Sequence, residues 1–77
     1  MTKQEFIGQI EEVLEIDRGT LTEDEMLFNV AGWDSLAVMS FIAMVDENLG
    51  VALRAPTIAS AKSISDLVAL VADNLEG

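Results

Sequence analysis

Between Asp34 and Gly50 run fifteen residues, Ser35–Leu49, without a single glycine or proline. Asp34 is a strong helix N-cap residue, and Gly50 suits the left-handed residue that follows a helix end. Within this span Val38, Phe41, Ile42, Val45 and Leu49 cluster on one arc at 100° per residue, a core-facing stripe. A helix of about fifteen residues is nearly the longest piece a 77-residue chain can hold in its core, so the rest must pack around it.

The opposite arc holds Leu36, Met39, Ser40, Ala43, Met44 and Glu47. A helix that only roofed a core would be polar there. Either the helix is central and buried all round, or this second apolar face meets a partner. With few other helices to cover both faces, the spacing predicts a docking surface, and methionines suit adaptable contacts.

The remaining segments read as helices too. Thr2 and Glu5 form a T-x-x-E capping box ahead of Phe6, Ile7, Ile10, Val13 and Leu14, which predicts a first helix over Lys3–Glu15. From Ile16 to Gly32 the chain is a long connection, with Leu21, Met26, Leu27, Phe28 and Val30 as anchoring side chains and a turn of helix near Thr22–Met26. After Gly50, Pro56 and small residues leave room for one short helix around Thr57–Ala61. A last helix begins near Ser63 or Ser65, carries Ile64, Leu67, Val68, Val71 and Leu75, and stops before Gly77. No segment alternates as a strand. The expected fold is all-α, a small bundle of three main helices plus a short fourth, with a long loop between the first two, forming a single domain over 1–77.

Fourteen acidic residues against four basic ones give a net charge of −10. Such a chain repels nucleic acid and anionic lipid and is drawn to basic partner surfaces. No apolar run approaches a membrane-spanning length, and Met1–Glu5 lacks a signal-peptide pattern, so a cytoplasmic, monomeric protein is expected. With no cysteine there is neither disulfide nor thiolate metal site, and the pairs Asp24/Glu25 and Asp46/Glu47 lack an EF-hand pattern; no metal site is expected.

Ser35 poses the chemical question. A nucleophilic serine needs a base, usually histidine, and an oxyanion hole. The chain has no histidine, no G-x-S-x-G elbow, and only Lys3, Arg18, Arg54 and Lys62 as cations, none at a recognisable spacing to Ser35. A self-sufficient enzyme is therefore not expected.

Gly32-x-Asp34-Ser35-Leu36 at a helix start, after a long loop and ahead of a helix with an apolar outer face, in a small acidic helical chain, resembles the acyl carrier protein family and the related peptidyl carrier domains. The resemblance spans essentially the whole chain. It implies that the serine is an attachment point: a separate phosphopantetheinyl transferase, using coenzyme A and magnesium, places 4′-phosphopantetheine on Ser35, with Asp34 shaping the modification site. It implies a carrier of acyl thioesters whose partners are that transferase and acyl-loading, condensing or transferring enzymes with basic or apolar docking surfaces. Leu36, Met39, Ala43 and Met44 would form the contact surface, with Asp46 and Glu47 at its edge.

Fatty-acid-synthesis carriers typically line the exposed side of this helix with acids. Here Ala37 and Ser40 stand at such places and acidity returns only at Asp46 and Glu47, while Val51–Pro56 carries Arg54. That departure points to a dedicated polyketide, lipid-modification or aminoacyl pathway rather than housekeeping fatty acid synthesis. The alternatives are an aminoacyl or peptidyl carrier and, from another class, an acidic interaction module without a prosthetic group. Gly32-Trp33-Asp34 fits acyl carriers better than peptidyl ones.

Overall fold

The computed structural model describes residues 1–76. The elements in chain order are α1 (Lys3–Val13), a 3-10 turn (Leu27–Asn29), α2 (Ser35–Leu49), α3 (Ala55–Ala59), α4 (Ile64–Ala69) and a second 3-10 turn (Ala72–Asn74). No strand forms among the described residues; Thr2–Glu76 and Met26–Ser63 are isolated bridges. The expected all-α bundle is what forms.

α1 starts as its sequence dictates. Thr2 Oγ1 accepts the Glu5 N–H at 3.1 Å, and Glu5 Oε1 accepts the Thr2 N–H at 2.8 Å. These two bonds satisfy two of the orphan donors at the helix start. The far end departs from expectation: the helix stops at Val13, and Glu15 takes a left-handed φ of 58°. Ile16 N–H then reaches the Glu11 carbonyl at 3.0 Å and Glu15 N–H the Glu12 carbonyl at 3.1 Å, a Schellman closure built without glycine.

The core gathers Phe6, Ile10, Leu21, Leu27, Val30, Phe41, Met44, Val45, Ile58, Ile64, Leu67, Val68 and Val71. α2 supplies its centre. Phe41 is fully buried, and the residues one helical turn either side of it on the same face, Ala37, Met44 and Val45, are buried with it. This corrects the expected placement of Met44, which is 7% exposed and belongs to the core. Met44 lies three residues after Phe41, so it shares that residue's face. Ala37, four residues before Phe41, is likewise under the helix, so its lack of charge reflects packing.

The long connection is ordered by the last helix. Ser65 N–H donates to the Glu23 carbonyl at 2.9 Å and Ile64 N–H to the Glu25 carbonyl at 3.0 Å, while Leu27 N–H returns a bond to the Lys62 carbonyl at 2.9 Å. The loop thereby occupies two amides at the start of α4, and Ser63 Oγ takes a third from Asp66 at 3.1 Å. With those carbonyls committed to α4, Thr22–Met26 forms turns rather than a helix; the helical turn comes later, at Leu27–Asn29. Of the expected anchors, Leu21, Leu27 and Val30 are buried, whereas Met26 and Phe28 are 37% and 74% exposed. A three-residue 3-10 turn directs only one of two neighbouring side chains inward, and Leu27 takes that place.

α3 begins two residues earlier than expected because Pro56, which lacks an N–H, fits the first turn. α4 is shorter than expected: it ends at Ala69, Leu70 caps it, and the chain turns to sink Val71 into the core before Glu76 N–H meets the Met1 carbonyl at 2.9 Å. Gly77, expected just past the last helix, lies outside the described residues. Among the described residues no helix is long and apolar enough to cross a membrane.

Candidate functional site

Ser35 is the first residue of α2, the longest helix, and it is exposed. Three local features put it there. Gly32 holds a φ of 86°, which favours glycine, and so turns the chain toward the helix. Trp33 N–H bonds the Val30 carbonyl at 3.3 Å, closing that turn on a buried anchor. Asp34 then caps the helix, its Oδ1 accepting the Ala37 N–H at 2.9 Å and its carbonyl accepting the Val38 N–H at 2.9 Å.

The cap leaves two donors free. The N–H groups of Ser35 and Leu36 have no acceptor among the described residues. They stand beside an exposed hydroxyl at the positive end of a fifteen-residue helix, where backbone amides and the helix dipole favour an anion. This donor set suits a phosphodiester on the Ser35 oxygen. Asp34, the nearest acid in sequence, has one carboxylate oxygen engaged by the Ala37 amide.

The outer face of α2 divides the expected contact residues. Leu36 and Met39 are 74% and 68% exposed, and Ser40, Ala43, Asp46 and Glu47 are exposed as well. Met44 is absent from that face. From Ser35 to Val45 no residue is ionisable, so Asp46 and Glu47 lie at the far end of the helix, roughly 16 Å from Ser35 at 1.5 Å per residue.

The structure's sizeable groove, about 850 Å³, runs along α1 and the first loop, lined by Lys3, Ile7, Gly8, Glu11, Arg18 and Leu21 among others, with no residue of α2. Ser35 is exposed and lies outside that groove. Among the described residues no group of three or more acidic side chains is arranged to hold a metal ion.

Glu11 escaped the sequence reading. It is 2% exposed, and its Oε2 accepts the Leu21 N–H at 2.9 Å. Its signal was positional: Glu11 lies four residues after Ile7 and three before Leu14, inside the apolar stripe. Exposed Phe28 was missed for the opposite reason, since hydropathy alone made it an anchor.

The family model describing a phosphopantetheine attachment site matches residues 4–71. Among solved structures, a candidate acyl carrier protein from Mycobacterium tuberculosis (Rv0033) superposes with a TM-score of 0.78 at 24% sequence identity, covering 92% of this chain and 95% of that one. At that identity the likeness speaks to the fold. No curated protein sequence matched the chain.

Proposed function

Because this chain belongs to the phosphopantetheine-attachment family, a family of carriers rather than catalysts whose cofactor is 4′-phosphopantetheine, we propose that Ser35 is the residue that receives the group. The carrying observation is an exposed hydroxyl at the first position of α2, flanked by two backbone N–H groups without acceptors. When bound, the group supplies a terminal thiol that holds cargo as a thioester, a function this cysteine-free chain has no side chain to perform.

The chain's own part is presentation. Asp34 fixes the first turn through Ala37, and the free Ser35 and Leu36 amides would hold the phosphate of the group by hydrogen bonding. With no histidine in the sequence, the base that takes the Ser35 proton belongs to the phosphopantetheinyl transferase. Leu36, Met39 and Ala43 form the face that transferase and acyl-handling enzymes contact, with Asp46 and Glu47 at its far rim. The uncharged exposed positions Leu36, Met39, Ser40 and Ala43 support a dedicated pathway, polyketide, lipid-modifying or aminoacyl, whose enzymes dock mainly through apolar contact.

The test is intact mass after incubation with coenzyme A and a broad-specificity phosphopantetheinyl transferase. The wild-type chain gains one phosphopantetheine, and the Ser35→Ala chain stays folded and gains none. Label on Ser40 or Ser63 overturns the assignment.

A further inference from the structure

Trp33 is the one tryptophan of the chain and stands directly before the Asp34 cap. It is half-buried, and its ring meets Phe41 edge-to-face, with centroids 5.8 Å apart and planes at 71°. Phe41 in turn meets Phe6 of α1 at the same 5.8 Å and 71°. Phe6 and Phe41 are both fully buried. A file of three rings thus runs from the rim of the Ser35 turn, through the middle of α2, to α1.

The geometry has a mechanical consequence. Phe41 lies six residues beyond Ser35, roughly 9 Å along the helix axis, so the Trp33 side chain folds back over the first turns of α2 to reach it. Packing of the residue before an N-cap against the helix body sets the angle at which the chain enters the helix. Edge-to-face aromatic pairs add orientation to apolar burial. Upstream, Gly32 at a φ of 86° and the Trp33 N–H bond to the Val30 carbonyl close the turn through the backbone, and the Trp33 ring adds the side-chain contact that ties this turn to the body of α2.

We infer that Trp33 is a positioning residue for the modification of Ser35: stapled to Phe41, it fixes the Asp34 cap and so the direction in which the Ser35 hydroxyl leaves the surface. The inference rests on the reading of Ser35 as the attachment residue. A transferase must bring the hydroxyl in line with a phosphorus atom, and misplacement of a reacting group by an ångström costs orders of magnitude in rate. The proposed docking residues Leu36 and Met39 are exposed, and at 100° per residue they lie about 140° and 160° around the helix from Phe41. Loosening Trp33 therefore affects the chemical step and leaves docking unchanged.

The experiment measures kcat and KM for this protein as substrate of a broad-specificity phosphopantetheinyl transferase with coenzyme A, at a temperature well below each variant's Tm. Trp33→Ala lowers kcat about tenfold with KM within about twofold, and Trp33→Phe, which keeps an edge-to-face ring, restores most of it. Independently of activity, the amide resonance of Ala37, the group that Asp34 holds, shifts in Trp33→Ala, while that of Ile64, bonded to the first loop, stays in place. An unchanged kcat, a loss confined to KM, or an unmoved Ala37 amide overturns the proposal; a KM effect alone makes Trp33 a transferase contact. If Trp33→Ala fails to fold, Trp33→Leu takes its place with the same expected kcat loss, since it keeps bulk and loses the ring. Peptide mapping of the labelled wild-type chain separates the two readings: label away from Ser35 removes the attachment assignment whatever Trp33 does.

Discussion

Oε2 of Glu11 accepts the backbone N–H of Leu21 at 2.9 Å across ten residues of chain, in a bond buried at both ends. It pins the first half of the long loop to α1, as the carbonyls of Glu23 and Glu25 pin the second half to α4. Removing the acceptor orphans a buried donor. Glu11→Ala should cost about 1–3 kcal/mol, and the Leu21 amide should exchange faster with solvent. Glu11→Gln keeps an acceptor oxygen in reach and should cost less. Denaturant melts and amide exchange of both variants check this.

Glu15 supplies the opposite kind of prediction. It holds a φ of 58°, a left-handed conformation that costs an ordinary residue about 1–2 kcal/mol, and it does so to close the Schellman motif ending α1. Glu15→Gly removes that strain and gives some of the gain back through the greater entropy of the unfolded chain. The net expectation is a stabilisation of about 0.5 kcal/mol, read as a higher urea midpoint with an unchanged slope. A lower midpoint would show that the carboxylate matters more than the backbone.

Met39 and Met44 lie on one helix and should respond differently. Met39, 68% exposed, tolerates Met39→Glu without loss of fold, yet the variant should load more slowly, by about 1–3 kcal/mol if Met39 anchors the partner. Met44, 7% exposed in the core, should lose about 2–5 kcal/mol as Met44→Ala and should not fold as Met44→Glu. Thermal melts beside loading rates decide it, and a folded, fully active Met39→Glu would mean that face is exposed but unused.

The capping box of α1 carries a pH signature. The hydrogen bond from the Thr2 backbone, followed by the one with its side chain, holds the Glu5 carboxyl below its ordinary value. A depressed folded-state pKa contributes stability that is fully present above the unfolded value, near 4.3, and is lost as pH falls through the folded one. Glu5 is fully exposed, so the effect is small. Glu5→Gln should therefore narrow the stability difference between pH 6 and pH 3 relative to wild type. An identical difference in both proteins would remove Glu5 as a contributor.

Much of this protein is local and could be read from its residues in order. Thr2 with Glu5, Asp34 with Ala37, and Gly50 at the end of α2 are caps, and a cap acts within four residues of itself. The position of Ser35 is legible for the same reason, one residue past a capping aspartate at the start of the longest helix; its proposed role as attachment point came from the resemblance to carrier proteins and not from spacing. The face that Leu36, Met39 and Ala43 present also followed from helical periodicity.

Other features depend on groups far apart in the chain, and only the folded arrangement decided them. Glu11 is a polar side chain and yet buried because an amide ten residues away needs an acceptor. Phe28 is aromatic and yet exposed because Leu27 took the inward place in a three-residue turn. Thr22–Met26 is not helical because its carbonyls cap α4, some forty residues downstream. The last helix ends at Ala69, after which the chain turns to bury Val71 and bring Glu76 to Met1. Local patterning specifies which segments are helices. Backbone donors and acceptors left over at their ends are satisfied by whatever the packing brings near, and that is settled only when the chain has folded.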